Sequence, residues 1–399
     1  MKKYFLIFIA TTLAVGLKSQ DFQVGNLYYN LIDNTKTVEV CKADLSVVSV
    51  AIPSVISIND STEYTVVEIA SEAFYRCDLL ESVIIPSSVT SIRPFSFYNC
   101  KSLMSIVVDA ANPKYDSRED CNAVIDTKKN MLVVACKNST IPHSVIRIKE
   151  HAFAAVEEYL PISMCSSGVW YFDDCLILAR GLDYCAVKEG TRLIADDTFS
   201  HNDEFSELQD EIEAYGGYEY FCEGCDDWAD VYDALIYDED IYFSKIEYSI
   251  YAKDNTLYRV VLPDGIESIG ARAFAGAELR NITIPSSVVH IGEAAFYDCD
   301  SLESVELPDS VATLEMMAFD GCSNLKQVTI GNSIKSIERY TFNDCKSLSE
   351  VHIGSGVVNI DRDAFSGCDS LRTIYIPSNV KTIVNGAFPK HTEIVFEQE

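Results

Sequence analysis

The chain has 399 residues, with 61 Asp and Glu against 31 Lys and Arg, a formal net charge of −30. That balance excludes nucleic acid and anionic lipid as natural partners, since binding either depends on neutralising phosphates with Lys and Arg. Hydrophobic residues make up 48% of the chain, enough for an extended core, and 14 cysteines raise the question of disulfides.

Residues 1–19 read as a secretory signal peptide. Lys2 and Lys3 precede an apolar run from Tyr4 to Leu17, and Ser19 supplies the small residue before a cut at Gln20. Losing Lys2, Lys3 and Lys18 moves the charge from −30 to −33, which favours solubility of an exported chain. No cysteine follows the cut, so no lipid anchor is expected there. No later apolar stretch approaches the roughly 20 residues of a membrane span, and none is expected.

Residues 66–109 and 258–399 are written in a repeating phrase. Its marker phenylalanines are Phe74, Phe97, Phe274, Phe296, Phe319, Phe342, Phe365 and Phe388, 23 residues apart within each run except for one 22-residue step. A period of this size signals a solenoid, in which one coil cannot bury its apolar set alone and stacked coils can. Each coil reads as Leu-x-x-Val-x-Ile, a strand whose fourth and sixth positions point inward (Leu279, Ile282, Ile284; Leu371, Ile374, Ile376). Pro or Gly ends it, as at Pro308 and Gly331. Ser-x-Val-x-x-Ile and a short Ala-Phe-x-x-Cys turn of helix follow. Cys77, Cys100, Cys299, Cys322, Cys345 and Cys368 keep register with the phenylalanines, which makes them core positions and free thiols rather than disulfide partners.

The segment from Ile291-Gly292-Glu293-Ala294-Ala295-Phe296 to Cys299-Asp300-Ser301-Leu302 resembles the BspA-like leucine-rich repeats of bacterial surface proteins. The resemblance implies a leucine-rich-repeat solenoid: an α/β superhelix with a parallel β-sheet on its concave face and short helices or turns on its convex face. It also implies export, often cell-surface display, and in several members adhesion to host matrix proteins or to other cells. Residues 20–65, with Tyr28-Tyr29-Asn30, Val38-Glu39-Val40 and Ile52-Pro53, look like the family's N-terminal β cap, and residues 110–140 like its β-hairpin insert. In that insert Asn130 is the expected turn between Ala123–Asp126 and Met131–Ala135. Cys121 and Cys136 flank it, as a disulfide or as two buried thiols.

Residues 141–200 read as degenerate repeats. Trp170 to Ile177 gives a strand pair, and Thr191 to Phe199 restores the phrase with Thr198 in place of alanine. Residues 201–257 form an acidic aromatic insert: His201 to Ser244 holds fifteen Asp or Glu, ten aromatics and neither Lys nor Arg. Disordered acidic tracts are poor in aromatics, so a folded or partly folded excursion is expected. Its aromatics either pack inward or, as Tyr218, Tyr220, Trp228, Asp230 and Tyr232, form a contact patch. Cys222 and Cys225 have no second pair at zinc spacing and read as a local disulfide or two thiols. Asp226, Asp227, Asp230 and Asp233 lack the EF-hand spacing, so no metal and no cofactor is expected.

The six histidines fall in no catalytic motif, and no nucleophile elbow or phosphate-binding glycine loop occurs, so the chain is not expected to be an enzyme. Binding is expected instead, on the outward third and fifth positions of the strand. These columns read Ser82, Asn281, Ser304, Gln327, Glu350, Thr373 and Ile84, Thr283, Glu306, Thr329, His352, Tyr375. The expected partner is a protein, such as a matrix or cell-surface protein. A glycan stacked on Trp170, Trp228 and the tyrosines is the alternative. A hydrolase built on the irregular middle, through His201 or the acidic cluster, is the third.

Overall fold

The computed structural model describes residues 22–32, 36–58, 62–149, 151–155, 169–172, 174–179, 184–199 and 257–397. The leader, the acidic insert and Cys222–Cys225 lie outside them. The chain divides into two compact units, the first formed by residues 1–142 and 151–160 and the second by 143–150 and 161–399.

The first unit opens with a sheet in the order Phe22–Val24, Leu27–Leu31, Thr37–Ala43, Thr62–Ile69, Val55–Ile58. Thr37–Ala43 alternates as a half-buried strand must, with Val38 and Val40 inward. Ser91–Ile92 then joins Thr62–Ile69 in parallel, which turns the sheet into the first rungs of the stack. A second parallel ladder runs Ser49–Ala51, Ser82–Ile85, Ser105–Val108. The insert is an antiparallel set of Tyr115–Asp116, Ala123–Asp126 and Met131–Ala135, with Asn130 left-handed (φ 47°) at its turn. Arg118 secures it, donating from Nε and Nη2 to Asp116 at 2.8 and 2.7 Å and from Nη1 to Asn130 at 2.9 Å.

In the second unit one apolar interior extends from Leu176 to Ala387. Strands Ser304–Glu306, Gln327–Ile330 and Glu350–Ile353 pair in parallel, and Thr373–Ile376 pairs with Glu393–Phe396. A second set of two-residue strands, carrying the Ile of Ser-x-Val-x-x-Ile, pairs separately: Ser336–Ile337, Asn359–Ile360, Thr382–Ile383. Each coil therefore contributes two strands rather than one. Between them the phenylalanines stack, with centroids 5.0 Å apart for Phe296–Phe319 and 5.5 Å for Phe319–Phe342, close to the inter-strand repeat of about 4.8 Å.

The expected turn of helix at Ala-Phe-x-x-Cys does not form. The residues two before and two after the Phe are left-handed in the coils of Phe296, Phe319, Phe342 and Phe365: Ala294 and Asp298, Met317 and Gly321, Tyr340 and Asp344, Asp363 and Gly367. Left-handed residues cannot continue an α-helix. The turn amides bond to the next coil instead, Phe296 N–H to Ala318 O at 2.8 Å and Asp298 N–H to Asp320 O at 2.8 Å.

The cysteines complete this stacking. The thiols of Cys299, Cys322, Cys345 and Cys368 donate to the carbonyls of Phe274, Phe296, Phe319 and Phe342 in the preceding coil, at 3.1, 3.1, 3.2 and 3.1 Å. Burial pushes the Cys322, Cys345 and Cys368 thiols far above the usual thiol range. Cys121 and Cys136 are also two buried thiols rather than a disulfide, donating to Ala123 O and Asn122 O. Only thiolate reacts readily with electrophiles. Mass-spectrometric mapping after iodoacetamide treatment should therefore find Cys121, Cys136, Cys322, Cys345 and Cys368 unlabelled in the native protein and labelled after denaturation. A Cys121–Cys136 crosslink, or fast native labelling of any of the five, would contradict the structure.

Candidate functional site

The outward residues fall where strand parity puts them. Ser304, Gln327 and Glu350 stand side by side, as do Glu306, Thr329 and His352, because Val305, Val328 and Val351 between them point into the core. Thr373 and Tyr375 sit on the separate pair Thr373–Ile376 and Glu393–Phe396, and Tyr375 is 57% exposed.

Asn281 and Thr283 correct the expected strand Leu-x-x-Ile-x-Ile. Only a single bridge joins Asn281 to Ser304, and Thr283 lies in no strand. The turn before this segment has five steps from Phe274 to Leu279, against six from Phe296 to Leu302. The shorter turn, which is the 22-residue step and puts Ala277 where cysteine usually stands, pulls the segment out of register. Both side chains are nevertheless exposed on the same side, since Ile282 and Ile284 still point inward.

The face is polar and partly self-paired. His352 Nε2 lies 2.8 Å from Glu350 Oε1, two residues back on the same strand. In the adjoining column Glu303 stands between two cations, 3.7 Å from Arg280 and 3.0 Å from Lys326. Exposed pairs of this kind contribute little to stability, about 0–1 kcal/mol, so their charges remain usable by a ligand. Among the described residues no group of three or more His, Cys, Asp or Glu could hold a metal ion. Tyr218, Tyr220, Trp228, Asp230 and Tyr232 lie outside the described residues, as do the side chain of Trp170, His201 and the Asp226–Asp233 cluster.

Two features were not singled out from the sequence. Arg147 bridges Asp196 (3.2 Å) and Glu315 (3.3 Å), tying residues 143–150 into the second unit. Burial raises the Asp196 carboxyl and lowers the imidazole of His290 beside Glu315, marks of a buried ionic joint. In the first unit the fifth-position column is apolar, running Ala51, Ile84, Val107; Ile84 and Val107 were legible as letters, but Ala51 lies in the cap, outside the phrase.

A family model described as BspA type Leucine rich repeat region matches in six copies, over residues 52–118, 244–338 and 267–395. The chain is similar to a solved leucine-rich repeat protein from Eubacterium ventriosum ATCC 27560, with 19% identity over 84% of this chain and 64% of that one and a TM-score of 0.34. It therefore spans somewhat under two thirds of the length of that relative. It is also similar to a leucine rich cell surface protein from Faecalibacterium prausnitzii A2-165 (21% identity, 95% of each chain, TM-score 0.29). A third similarity is to a leucine-rich repeat protein from Bacteroides ovatus ATCC 8483 (19% identity, 95% of this chain and 100% of that one, TM-score 0.28). No curated protein matches.

Proposed function

Since the chain belongs to the BspA-type leucine-rich repeat family, we propose that it is an exported, non-enzymatic binding protein of a bacterial surface, holding a protein ligand of the extracellular matrix or of another cell. The observation that carries this reading is the contrast along the Leu-x-x-Val-x-Ile strands of the second unit. Inward positions repeat the same few apolar residues, while outward positions change from coil to coil through Ser304, Glu306, Gln327, Thr329, Glu350, His352, Thr373 and Tyr375. Core packing needs the first pattern and is indifferent to the second. A row of chemically varied side chains on rigid strands, exposed except for the half-buried Thr329 and Thr373, offers a protein partner many small contacts, with Tyr375 as the aromatic anchor that interface centres favour.

The test is retention of matrix proteins and bacterial surface extracts on the immobilised mature chain. A variant carrying Glu350→Ala, His352→Ala and Tyr375→Ala removes exposed groups only and should fold normally. Retention by the parent, weakened at least tenfold in the variant, is expected. Equal retention by both, or none by the parent at any salt concentration, would overturn the assignment.

A further inference from the structure

The repeat supplies its own control for a second surface, on the ladder Ser49–Ala51, Ser82–Ile85, Ser105–Val108 of the first unit. Three exposed positions of the coil, polar through most of the second unit, are apolar here. At the fifth strand position Thr283, Glu306, Thr329 and His352 are replaced by Ile84 (49% exposed) and Val107 (43% exposed), in register with Ala51. At the second position, where Arg280, Glu303, Lys326 and Ser349 stand, the first unit has Val48 and Met104 (46% exposed) on either side of Glu81. Backbone bonds fix that column: Glu81 N–H donates to Val48 O at 2.7 Å and Met104 N–H to Glu81 O at 2.9 Å. Just before the strand, where Ser301, Asn324, Ser347 and Ser370 recur, stands Leu79, 55% exposed. Among the described residues, Tyr258 and Val261, in the coil before Leu279, and Tyr375 at the fifth position of Thr373–Ile376 share the apolar choice at these positions and are as exposed.

The fold does not require these apolar residues, because the same backbone positions are served by Thr, Glu, Ser and Arg elsewhere in the chain. Exposed apolar clusters mark contact surfaces. The serines between the columns do not compete for a ligand. Ser49 and Ser82 bond to each other at 2.6 Å, and Ser105 donates to Asn122 at 3.2 Å. Within the patch, Asp78 beside Leu79 and Glu81 between Val48 and Met104 are exposed carboxylates, while the lysines stand toward its far side, Lys101 three residues before Met104 and Lys137 with its N–H on Leu103 O at 3.1 Å. A second copy of the chain would bring a further −30 charges to this face, and an anionic bilayer is repelled in the same way.

We propose that this face seats an extended, basic amphipathic polypeptide segment of a partner. Its apolar side chains at alternate positions would cover Ala51, Ile84 and Val107, and its Lys or Arg would meet Asp78 and Glu81. Alternation suits the site because side chains two apart on a strand share one face, while opposite charge at the rim raises the encounter rate and fixes register. This surface belongs to the first unit, and the proposal does not depend on the reading given for the strands of the second.

Fluorescence anisotropy of labelled ten-residue peptides on the full mature chain tests it. A peptide alternating Val and Lys should bind; those alternating Val with Glu, or Ser with Lys, should bind at least tenfold more weakly. The double variant Ile84→Thr, Val107→Thr installs the residue that positions 283 and 329 already carry and so keeps the fold; it should weaken the Val-Lys peptide at least tenfold. Glu81→Lys should do the same while removing no apolar contact, and His352→Ala with Tyr375→Ala should change nothing. The proposal is overturned if the Val-Lys peptide does not bind or the Ser-Lys peptide binds as well. It is equally overturned if the threonine variant binds normally, if phosphatidylcholine vesicles take up the parent but not that variant, or if sedimentation shows the face occupied by a second copy.

Discussion

Replacing Phe319 by alanine should lower unfolding stability by about 3–5 kcal/mol, the usual cost of deleting a fully buried phenylalanine from a packed core. Phe319 has no exposed surface, and it lies between Phe296 and Phe342 with near-parallel rings, 5.0 and 5.5 Å between centroids. The cavity is difficult to close. The backbone on either side is held by inter-coil bonds, Phe319 N–H to Thr341 O at 2.9 Å and Cys345 Sγ to Phe319 O at 3.2 Å, so the coils cannot slide together without losing them. Phe388 is the control, because among the described residues it stacks on one ring, Phe365 at 5.3 Å, and is half-buried. Phe388→Ala should cost about half as much or less, since part of its surface is already in water. Denaturant midpoints of the two variants measure the difference. Hydrogen exchange should place the opening caused by Phe319→Ala in the coils of Phe296 and Phe342, because a solenoid transmits stress chiefly to neighbours. Equal costs at the two sites would mean that the phenylalanine column is not the spine of the stack.

That spine was legible in the letters, because a 23-residue period with Phe and Cys in fixed register leaves few alternatives to a stack of coils. The second ladder was not. Strands of two residues, such as Ser336–Ile337 and Asn359–Ile360, are too short for a period-two pattern to register. The turns misled for a different reason. Left-handed backbone is usually announced by glycine, yet Met317 and Tyr340 adopt it with φ near 60°, and Ala-Phe-x-x-Cys viewed alone has the composition of a helix turn. Inter-coil hydrogen bonds, invisible in a single coil, select the turn. For the site, parity placed the outward columns from Ser304 to Tyr375 correctly. It could not show that the 22-residue step would unpair Thr283, or that Ala51 of the cap would extend the Ile84–Val107 column, since both depend on which coil lies beside which.

Asp320→Asn should stabilise the protein above pH 7 and leave it unchanged near pH 4. Asp320 is buried on the turn face, where its Oδ1 accepts from Asn343 Nδ2 at 2.9 Å. Burial first, and then the carboxylates of Asp344 and Asp298, push its pKa from 3.8 up to about 7. Asp298, one coil earlier, is raised to about 6 by burial and by Asp300 and Asp344, with Lys346 giving partial relief. Its carboxylate lies over Gly321, where any Cβ would collide with it. A carboxyl whose folded pKa lies above its unfolded value binds more protons folded than unfolded between the two, so stability falls as pH rises through that window. For Asp320 the window runs from about pH 4 to pH 7, and the penalty is complete above it. At about 1.4 kcal/mol for each pKa unit, the rise from 3.8 to about 7 is a penalty on the order of 4 kcal/mol, and removing it should give back part of that, about 1–3 kcal/mol, at pH 8. Asparagine suits the position because Asn343 already occupies the same place in the next coil, directly after Phe342 as Asp320 follows Phe319, and its amide oxygen can accept the Asn343 bond. Unfolding of parent and variant at pH 4 and pH 8 isolates this carboxylate from the other titrating groups, among them His290 and Asp196. A gain of the same size at both pH values would locate the effect in packing rather than charge, and a loss at pH 8 would mean that the ionised carboxylate is the form the fold prefers.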